Sequence, residues 1–365
     1  MKLFYHICSI FFLIGLIGCK NTATNEPKEI DINRFPVSID LKGKEITLPE
    51  ISSYGISEIK VVDSMLIVSA LEDKDFWHIY SLPELDSIGR FFNVGEGPFE
   101  FIDPVPCFQS SFFYHDDDLF AFIPQLFDHK LVEENLSNLL KGENYDSATR
   151  MLEVKFDQMP IWAYALDQAR YIQAVINPEQ ISIQRTIDNF SNQSSINIEN
   201  TYLDLLNSRT AESMEDLQLL LTFPAIGKNG DIIAEIPGYS NTIVIYETIG
   251  SGGACVSYKN LPSGEKEVKK YAEKYLAFFG GGYGHDDFFA FIRNEIRDEK
   301  VVNQYFDFLS WEGDPLGTIN SGMKSIRRFD IDLSTGTLYC LDGESDTIRA
   351  FHLKSFFNDI KALNP

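Results

Sequence analysis

Short apolar runs broken by Asp, Gly, Asn and Ser recur along this chain at a nearly constant interval. The first set is the clearest. Glu58-Ile59-Lys60-Val61-Val62 alternates, Asp63-Ser64 turns, and Met65-Leu66-Ile67-Val68-Ser69 follows. After a polar turn from Leu71 to Asp75 come Phe76-Trp77-His78-Ile79-Tyr80 and then Ser87-Ile88-Gly89-Arg90-Phe91. Period-two alternation with turn residues between predicts a four-stranded antiparallel unit. Apolar residues dominate its second run, as expected of a strand packed on both faces. That second run returns as Leu119–Ile123, Tyr171–Val175, Ile232–Ile236, Phe288–Ile292 and Leu338–Leu341. Measured between Leu66, Phe120, Ile172, Ile233, Phe289 and Tyr339, the steps are 54, 52, 61, 56 and 50 residues. Six similar sheets, none able to bury both faces alone, predict a single all-β body, a six-bladed β-propeller with about four antiparallel strands per blade. A ring of seven or eight blades is the nearest competitor. The longest step holds Asp204-Leu205-Leu206 and Met214–Leu220 at helical spacing, a short helical insertion, and residues 265 to 276 read as another helix. Residues 36 to 41 and 45 to 48 are left over before the first unit and predict an outer strand that closes the last blade.

The chain start reads differently. Lys2 precedes the apolar core Phe11–Ile17, which is too short to span a bilayer. Leu16-Ile17-Gly18-Cys19 resembles the lipobox of bacterial lipoproteins, and the resemblance implies cleavage after residue 18 and lipidation of Cys19. Residues 19 to 36 are polar and read as a flexible tether, leaving 37 to 365 for the propeller. No acidic run follows Cys19 directly, which points to the outer membrane facing the periplasm. Between the first and second units lies Gly95-Glu96-Gly97-Pro98-Phe99-Glu100-Phe101. Placed there in a lipoprotein-like chain, this stretch resembles the TolB-like six-bladed propeller lipoproteins of Bacteroidetes, many of which carry Gly-x-Gly-Pro-Gly-Glu-Phe. Phe99 departs from that pattern. The resemblance implies the fold and an envelope location, and carries no activity or catalytic residues. Gly95 and Gly97 suggest a corner with positive φ.

Composition narrows the partners. The net charge is −23, and removing residues 1 to 18 makes it one unit more negative. Such a chain repels nucleic acid and anionic lipid, so membrane contact runs through the lipid alone. We expect a monomer. Three cysteines remain in the folded part, Cys107, Cys255 and Cys340, so at most one disulfide can form within it. Cys107 and Cys340 lie in apolar, strand-like surroundings and read as small hydrophobes.

Candidate chemistry is sparse, and no cofactor is expected. His115-Asp116-Asp117-Asp118 and His285-Asp286-Asp287 resemble metal ligands, but neighbouring strand residues face opposite ways and both runs fall in first-to-second-strand turns, so no metal site is assigned. Gly280-Gly281-Gly282-Tyr283-Gly284 lacks the helix that a nucleotide loop needs and reads as a hairpin loop. No His-Glu-x-x-His or Gly-x-Ser-x-Gly occurs, and no catalytic pair stands out among 54 acidic residues. The candidate ligand-binding residues are those in second-to-third-strand turns and links: Glu72, Asp73, Glu96, Tyr239, Asn241, Arg293 and Asn294. Aromatic, amide and charged groups together suit a peptide, glycan or partner protein. The reading is an envelope binding or scaffold module. A propeller hydrolase or lyase acting on a sugar or lactone is the alternative.

Overall fold

A computed structural model describes residues 27–364, apart from 32, 48–54, 98–99, 102–103, 126–129, 153–159, 178–181, 191–193, 208–218, 228–229 and 264. Cys19, the signal segment, Pro98, Phe99 and most of the Met214–Leu220 helix candidate lie outside these residues.

The chain opens with β1 (Lys28–Ile30), β2 (Val37–Asp40) and β3 (Glu45–Ile46). Six antiparallel meanders follow, each beginning at the axis. The first blade is β4 (Ile56–Val62), β5 (Met65–Ala70), β6 (Asp75–Ser81) and β7 (Ser87–Asn93). The second is β8 (Ser111–His115), β9 (Asp118–Gln125), β10 (Lys130–Asn135) and β11 (Thr149–Leu152), with α1 (Leu136–Leu140) and α2 (Tyr145–Ala148) between its last two strands. The third is β12 (Pro160–Ala165), β13 (Arg170–Asn177), β14 (Ser182–Asn189) and β15 (Ser195–Asn197), followed by α3 (Asp204–Asn207). The fourth is β16 (Thr222–Ile226), β17 (Ile232–Pro237), β18 (Thr242–Glu247) and β19 (Gly253–Tyr258), then α4 (Glu265–Ala272). The fifth is β20 (Phe279–Gly284), β21 (Phe289–Arg297), β22 (Lys300–Leu309) and β23 (Pro315–Asn320). The sixth is β24 (Ile326–Asp332), β25 (Thr337–Asp342) and β26 (Thr347–His352), and α5 (Lys354–Leu363) ends the chain. All six apolar second runs predicted from the repeat are second strands.

The core is divided as the repeat requires. Six buried clusters occupy the six blade-to-blade interfaces. Between blades one and two, Ile67, Trp77 and Ile79 meet Leu119, Ala121 and Ile123. Between blades six and one, Tyr339 and Leu341 meet Leu66 and Val68, which closes the ring. Inner strands are also stitched together: Val61 N donates to Asp330 Oδ2 at 2.9 Å and Ala165 N to Ser111 Oγ at 2.9 Å.

The structure corrects several expectations. Lys28–Ile30, assigned to the tether, pairs in parallel with β19 as a fifth strand of blade four. Residues 37–40 pair in parallel with β23 of blade five rather than with the last blade. Only Glu45–Ile46 reaches blade six, where it supplies the fourth strand beside β26. Edge pairing of this kind uses backbone groups, so side-chain pattern does not reveal it. The Gly280–Gly284 run is no hairpin loop but the innermost strand of blade five. A Cβ on Gly284 would lie 1.9 Å from the Ile226 carbonyl oxygen, and one on Gly282 2.6 Å from that of Pro224. Adjacent inner strands approach so closely there that only glycine fits.

The Gly95–Phe101 corner has another surprise. Neither Gly95 nor Gly97 has positive φ; that conformation falls on Phe92, at 66°. The glycines instead leave room for Glu100. Its Oε2 accepts from Gly97 N at 2.8 Å and would stand 2.0 Å from a Cβ on Gly95.

Candidate ligand-binding mouth

In an antiparallel meander that starts at the axis, the beginning of each first strand, the second-to-third-strand turns and the blade links share one end of the ring. The candidate site is built at that end. Near the axis, β4 and β24 each carry a bulge at their entry, between Ile56 and Glu58 and between Ile326 and Arg328. Bulges re-aim side chains, and these two bring Glu58 and Arg328 together at 3.8 Å. The link after blade one completes the cluster. Trp77 Nε1 donates to Val105 O at 2.8 Å and Cys107 N to Ser69 Oγ at 3.2 Å, which fixes the link. Phe108 N then donates to Glu58 Oε2 at 3.0 Å, while the Phe108 ring lies 4.8 Å beneath the Arg328 guanidinium.

Burial raises the Glu58 carboxyl above its usual range, against the pull of Arg328 and the Phe108 amide. Arg328 Nε is buried without a partner among the described residues. Lys60 and Asp330, one layer in, pair at 3.2 Å. Tyr164 from β12 feels both Glu58 and Arg328, and its phenol is pushed up chiefly by loss of water around it.

A second cluster stands at the rim, where the β17–β18 turn meets the link after α4. The helix ends with Leu276 N bonded to Tyr271 O at 3.0 Å and Tyr275 N to Ala272 O at 2.9 Å. This pairing defines a Schellman end whose left-handed position is normally glycine. Here it is Tyr275, at φ 56°. Among the described residues, Leu85, Phe92 and Tyr275 are the bulky side chains with positive φ. Leu85 is 6% exposed and Phe92 0%, so burial offsets their backbone cost, whereas Tyr275 is 81% exposed. A left-handed non-glycine residue costs roughly 1 kcal/mol. Phe278 N donates to Gly238 O at 2.6 Å and so ties this link to the turn carrying Tyr239. The Tyr239 phenol is raised by burial and then by the neighbouring Tyr275.

The other candidates are distributed as follows. Glu72 and Glu96 are exposed. Asp73 stands 3.3 Å from the buried His78 ring and accepts from Lys74 N at 2.8 Å, a turn-forming role. Asn241 Nδ2 donates to Ser257 Oγ at 3.0 Å and to Tyr258 O at 3.4 Å. Arg293 and Asn294 are not in a turn. The β21–β22 hairpin is long and turns at Asp298–Glu299, so both residues lie within β21. Arg293, 5% exposed, pairs with Asp307 at 2.6 Å and covers the Tyr305 ring at 4.3 Å. Asn294 Nδ2 donates to Ala277 O at 2.8 Å and its Oδ1 accepts from Gln304 at 2.8 Å. The structure therefore gathers Tyr239 and Asn294 around the Tyr275 link. The pattern did not single out Glu58, Phe108, Arg328 or Tyr275. Charged residues inside otherwise apolar first strands, and a tyrosine where a helix should end in glycine, were the available signals.

Elsewhere at the rim, a groove of about 550 Å³ runs between the β2–β3 turn and blades five and six, beside Leu41, Met323 and Phe351. Its Arg349 is bound to both Glu45 and Asp342, at 2.6 and 3.5 Å. His115 and His285 lie at the opposite end of the ring, next to Asp116 at 3.3 Å and Asp287 at 3.6 Å. Among the described residues no group of three or more His, Cys, Asp or Glu side chains is placed to hold one ion. Cys107, Cys255 and Cys340 are buried thiols with no disulfide between them.

Residues 54–213 match the TolB-like 6-blade propeller-like family. The TolB-like, six-bladed part of the resemblance seen in the Gly95–Phe101 stretch thus extends over blades one to three. No curated protein sequence matches the chain. Among solved structures, a candidate exported protein of Bacteroides fragilis superposes with a TM-score of 0.54 at 10% identity, covering 89% of this chain and 99% of that one. A luciferin-regenerating enzyme gives 0.44 at 9% identity, covering 82% and 92%. The Cps50 (Swd1) propeller domain of Myceliophteria thermophila gives 0.43 at 9%, covering 85% and 99%. At such identities the first of these speaks for the fold alone.

Proposed function

We propose that this protein is a lipid-anchored envelope module that binds a ligand at the mouth where the blade links and second-to-third-strand turns gather. The observation that supports it is the Glu58–Phe108–Arg328 cluster. A guanidinium with an unused buried N–H, stacked on a ring and opposite a carboxyl that burial raises, is a polar constellation that the fold itself does not need. The location rests on the Leu16–Cys19 stretch and on a fold shared with a candidate exported protein. Among the described residues no helix is long and apolar enough to cross a membrane. Cys19→Ala releases the protein from the membrane fraction on this reading; unchanged fractionation refutes it. For the mouth, Arg328→Ala and Glu58→Gln abolish the melting-temperature rise that a bound oligosaccharide or peptide gives the wild type. A ligand bound equally by both variants refutes the assignment.

Glu58 also supports a second reading, a hydrolase or lyase. Burial raises this carboxyl's affinity for a proton, which is the direction a general acid needs. Turnover of a sugar or lactone that disappears in Glu58→Gln and follows a carboxyl titration above the usual range decides for the enzyme.

A further inference from the structure

We propose that Tyr275 and Tyr239 form a stacking site for a neutral glycan chain at the rim of the mouth. The proposal rests on the binding reading above and names its ligand class.

Tyr275 is the starting point. Its backbone adopts a conformation that glycine reaches freely and tyrosine does not. Its side chain makes no hydrogen bond or ring contact with another described residue and stands 81% exposed. Leu85 and Phe92 carry the same backbone cost, and each is buried. Nothing among the described residues compensates the cost at Tyr275, so the return comes from outside. The position is also rigid. The helix end fixes Tyr275, the Phe278–Gly238 bond fixes the turn carrying Tyr239, and Asn294 holds the link through Ala277 O and, by its own N–H, Phe278 O at 2.8 Å. Stacking platforms need this preorganisation.

The surroundings select the ligand. Tyrosine faces are electron-rich and favour the C–H face of a sugar ring, and their hydroxyls stay wet beside its own. A peptide would need amide donors for its carbonyls, but both of Asn241's and one of Asn294's are already engaged within the fold. Glu273 and Glu299 flank the link, the latter paired with Lys274, and the chain carries −23 overall, which disfavours polyanions.

The test uses the mature chain, with calorimetric titration of neutral hexaoses of β-1,4-glucose, β-1,4-xylose and α-mannose, alongside decaproline and choline. At least one hexaose binds. Tyr275→Gly and Tyr239→Ala weaken it about tenfold or more, whereas Tyr275→Phe stays near wild type. Tyr275→Gly also melts about 1 to 2 °C higher than wild type, because the backbone cost is relieved, which shows that the lost affinity is not lost folding. Failure of every hexaose to bind at millimolar concentration, binding of decaproline or choline instead, or undiminished affinity in Tyr275→Gly overturns the proposal. A hexaose lost in Arg328→Ala but kept in Tyr275→Gly leaves the mouth reading standing and removes only this one.

Discussion

Arg185 and Glu235 are a demanding test of how blades three and four are held together. The guanidinium on β14 reaches across the interface to the carboxylate on β17, both oxygens of which it contacts. Thr222 Oγ1 and Tyr246 Oη complete the shell at 2.7 and 2.8 Å. Glu235 is 0% exposed and Arg185 4%. Burial alone would raise the carboxyl, but Arg185 and the two hydroxyls reverse that and hold it below its usual value. Arg185→Met leaves the carboxylate buried without a cation. Breaking such a pair costs about 3–5 kcal/mol, and the two remaining hydroxyl donors place this case near 3. For a chain of 365 residues, about 3 kcal/mol is a fall of roughly 4 °C in Tm.

The pH dependence gives the argument its sign. In the wild type the folded pKa is depressed, so the pair's contribution is present above the unfolded carboxyl pKa and is lost only as pH falls below it. In Arg185→Met the folded pKa rises, so the penalty is full at neutral pH and shrinks toward pH 4.5, where Glu235 takes a proton. Adding Glu235→Gln regains most of the loss, since the buried charge is gone, the amide oxygen still accepts from one of the two hydroxyls and its NH2 donates to the other. Thermal unfolding of the wild type and the two variants from pH 4.5 to 8 measures this. A single variant as stable as wild type at pH 7, or a deficit that does not change with pH, refutes the reasoning.

Other sites give independent predictions. Glu134 on β10 is fully buried, accepts from Thr149 Oγ1 at 2.8 and 2.9 Å, and is raised by burial to about 8. A carboxyl whose folded pKa is raised weakens the fold as pH climbs from the unfolded value near 4 to the folded one, so Glu134→Gln matches wild type at pH 4.5 and exceeds it by roughly 3–5 kcal/mol at pH 8.5 in urea unfolding. Gly284→Ala drives a methyl into the Ile226 carbonyl and destabilises the fold by more than about 2 kcal/mol, read as a lowered urea midpoint with an unchanged slope. Glu100→Ala removes the carboxylate on Gly97 N in an exposed corner, lowers stability by about 1 kcal/mol, and leaves ligand affinity at the mouth unchanged.

The second strands were legible because a strand buried on both faces is dominated by apolar residues, and Leu66, Phe120, Ile172, Ile233, Phe289 and Tyr339 all lie in such runs, with Ser69, Gln173 and Glu235 as buried polar exceptions. Other features were hidden for physical reasons. Strands β1 and β2 bind through their backbones, and residues 28–30 carry Lys and Glu at the paired positions. The C-terminal helix was readable in principle. Phe356, Phe357 and Ile360 share one face and pack on Phe308, with the Phe308 and Phe356 rings 5.1 Å apart, but they follow a strand-rich chain and continue no repeat. Arg293 looks like a ligand in sequence and is an internal brace, because its partner Asp307 lies fourteen residues away across the hairpin. At the mouth, Glu58 and Arg328 are separated by almost the whole chain and meet only because the last blade closes on the first.

The first described residues run along the outside of blades four, five and six, ahead of blade one, which begins at Ile56. A pull on residue 27 therefore meets two short parallel pairings loaded in shear, with Lys28 bonded to Asp314 and Lys259 to Glu29 beside them. Only after these yield does tension reach the Glu45–Ile46 clasp that closes the circle. A body hung by its N-terminus would thus carry its own shock absorber, outboard of the mouth.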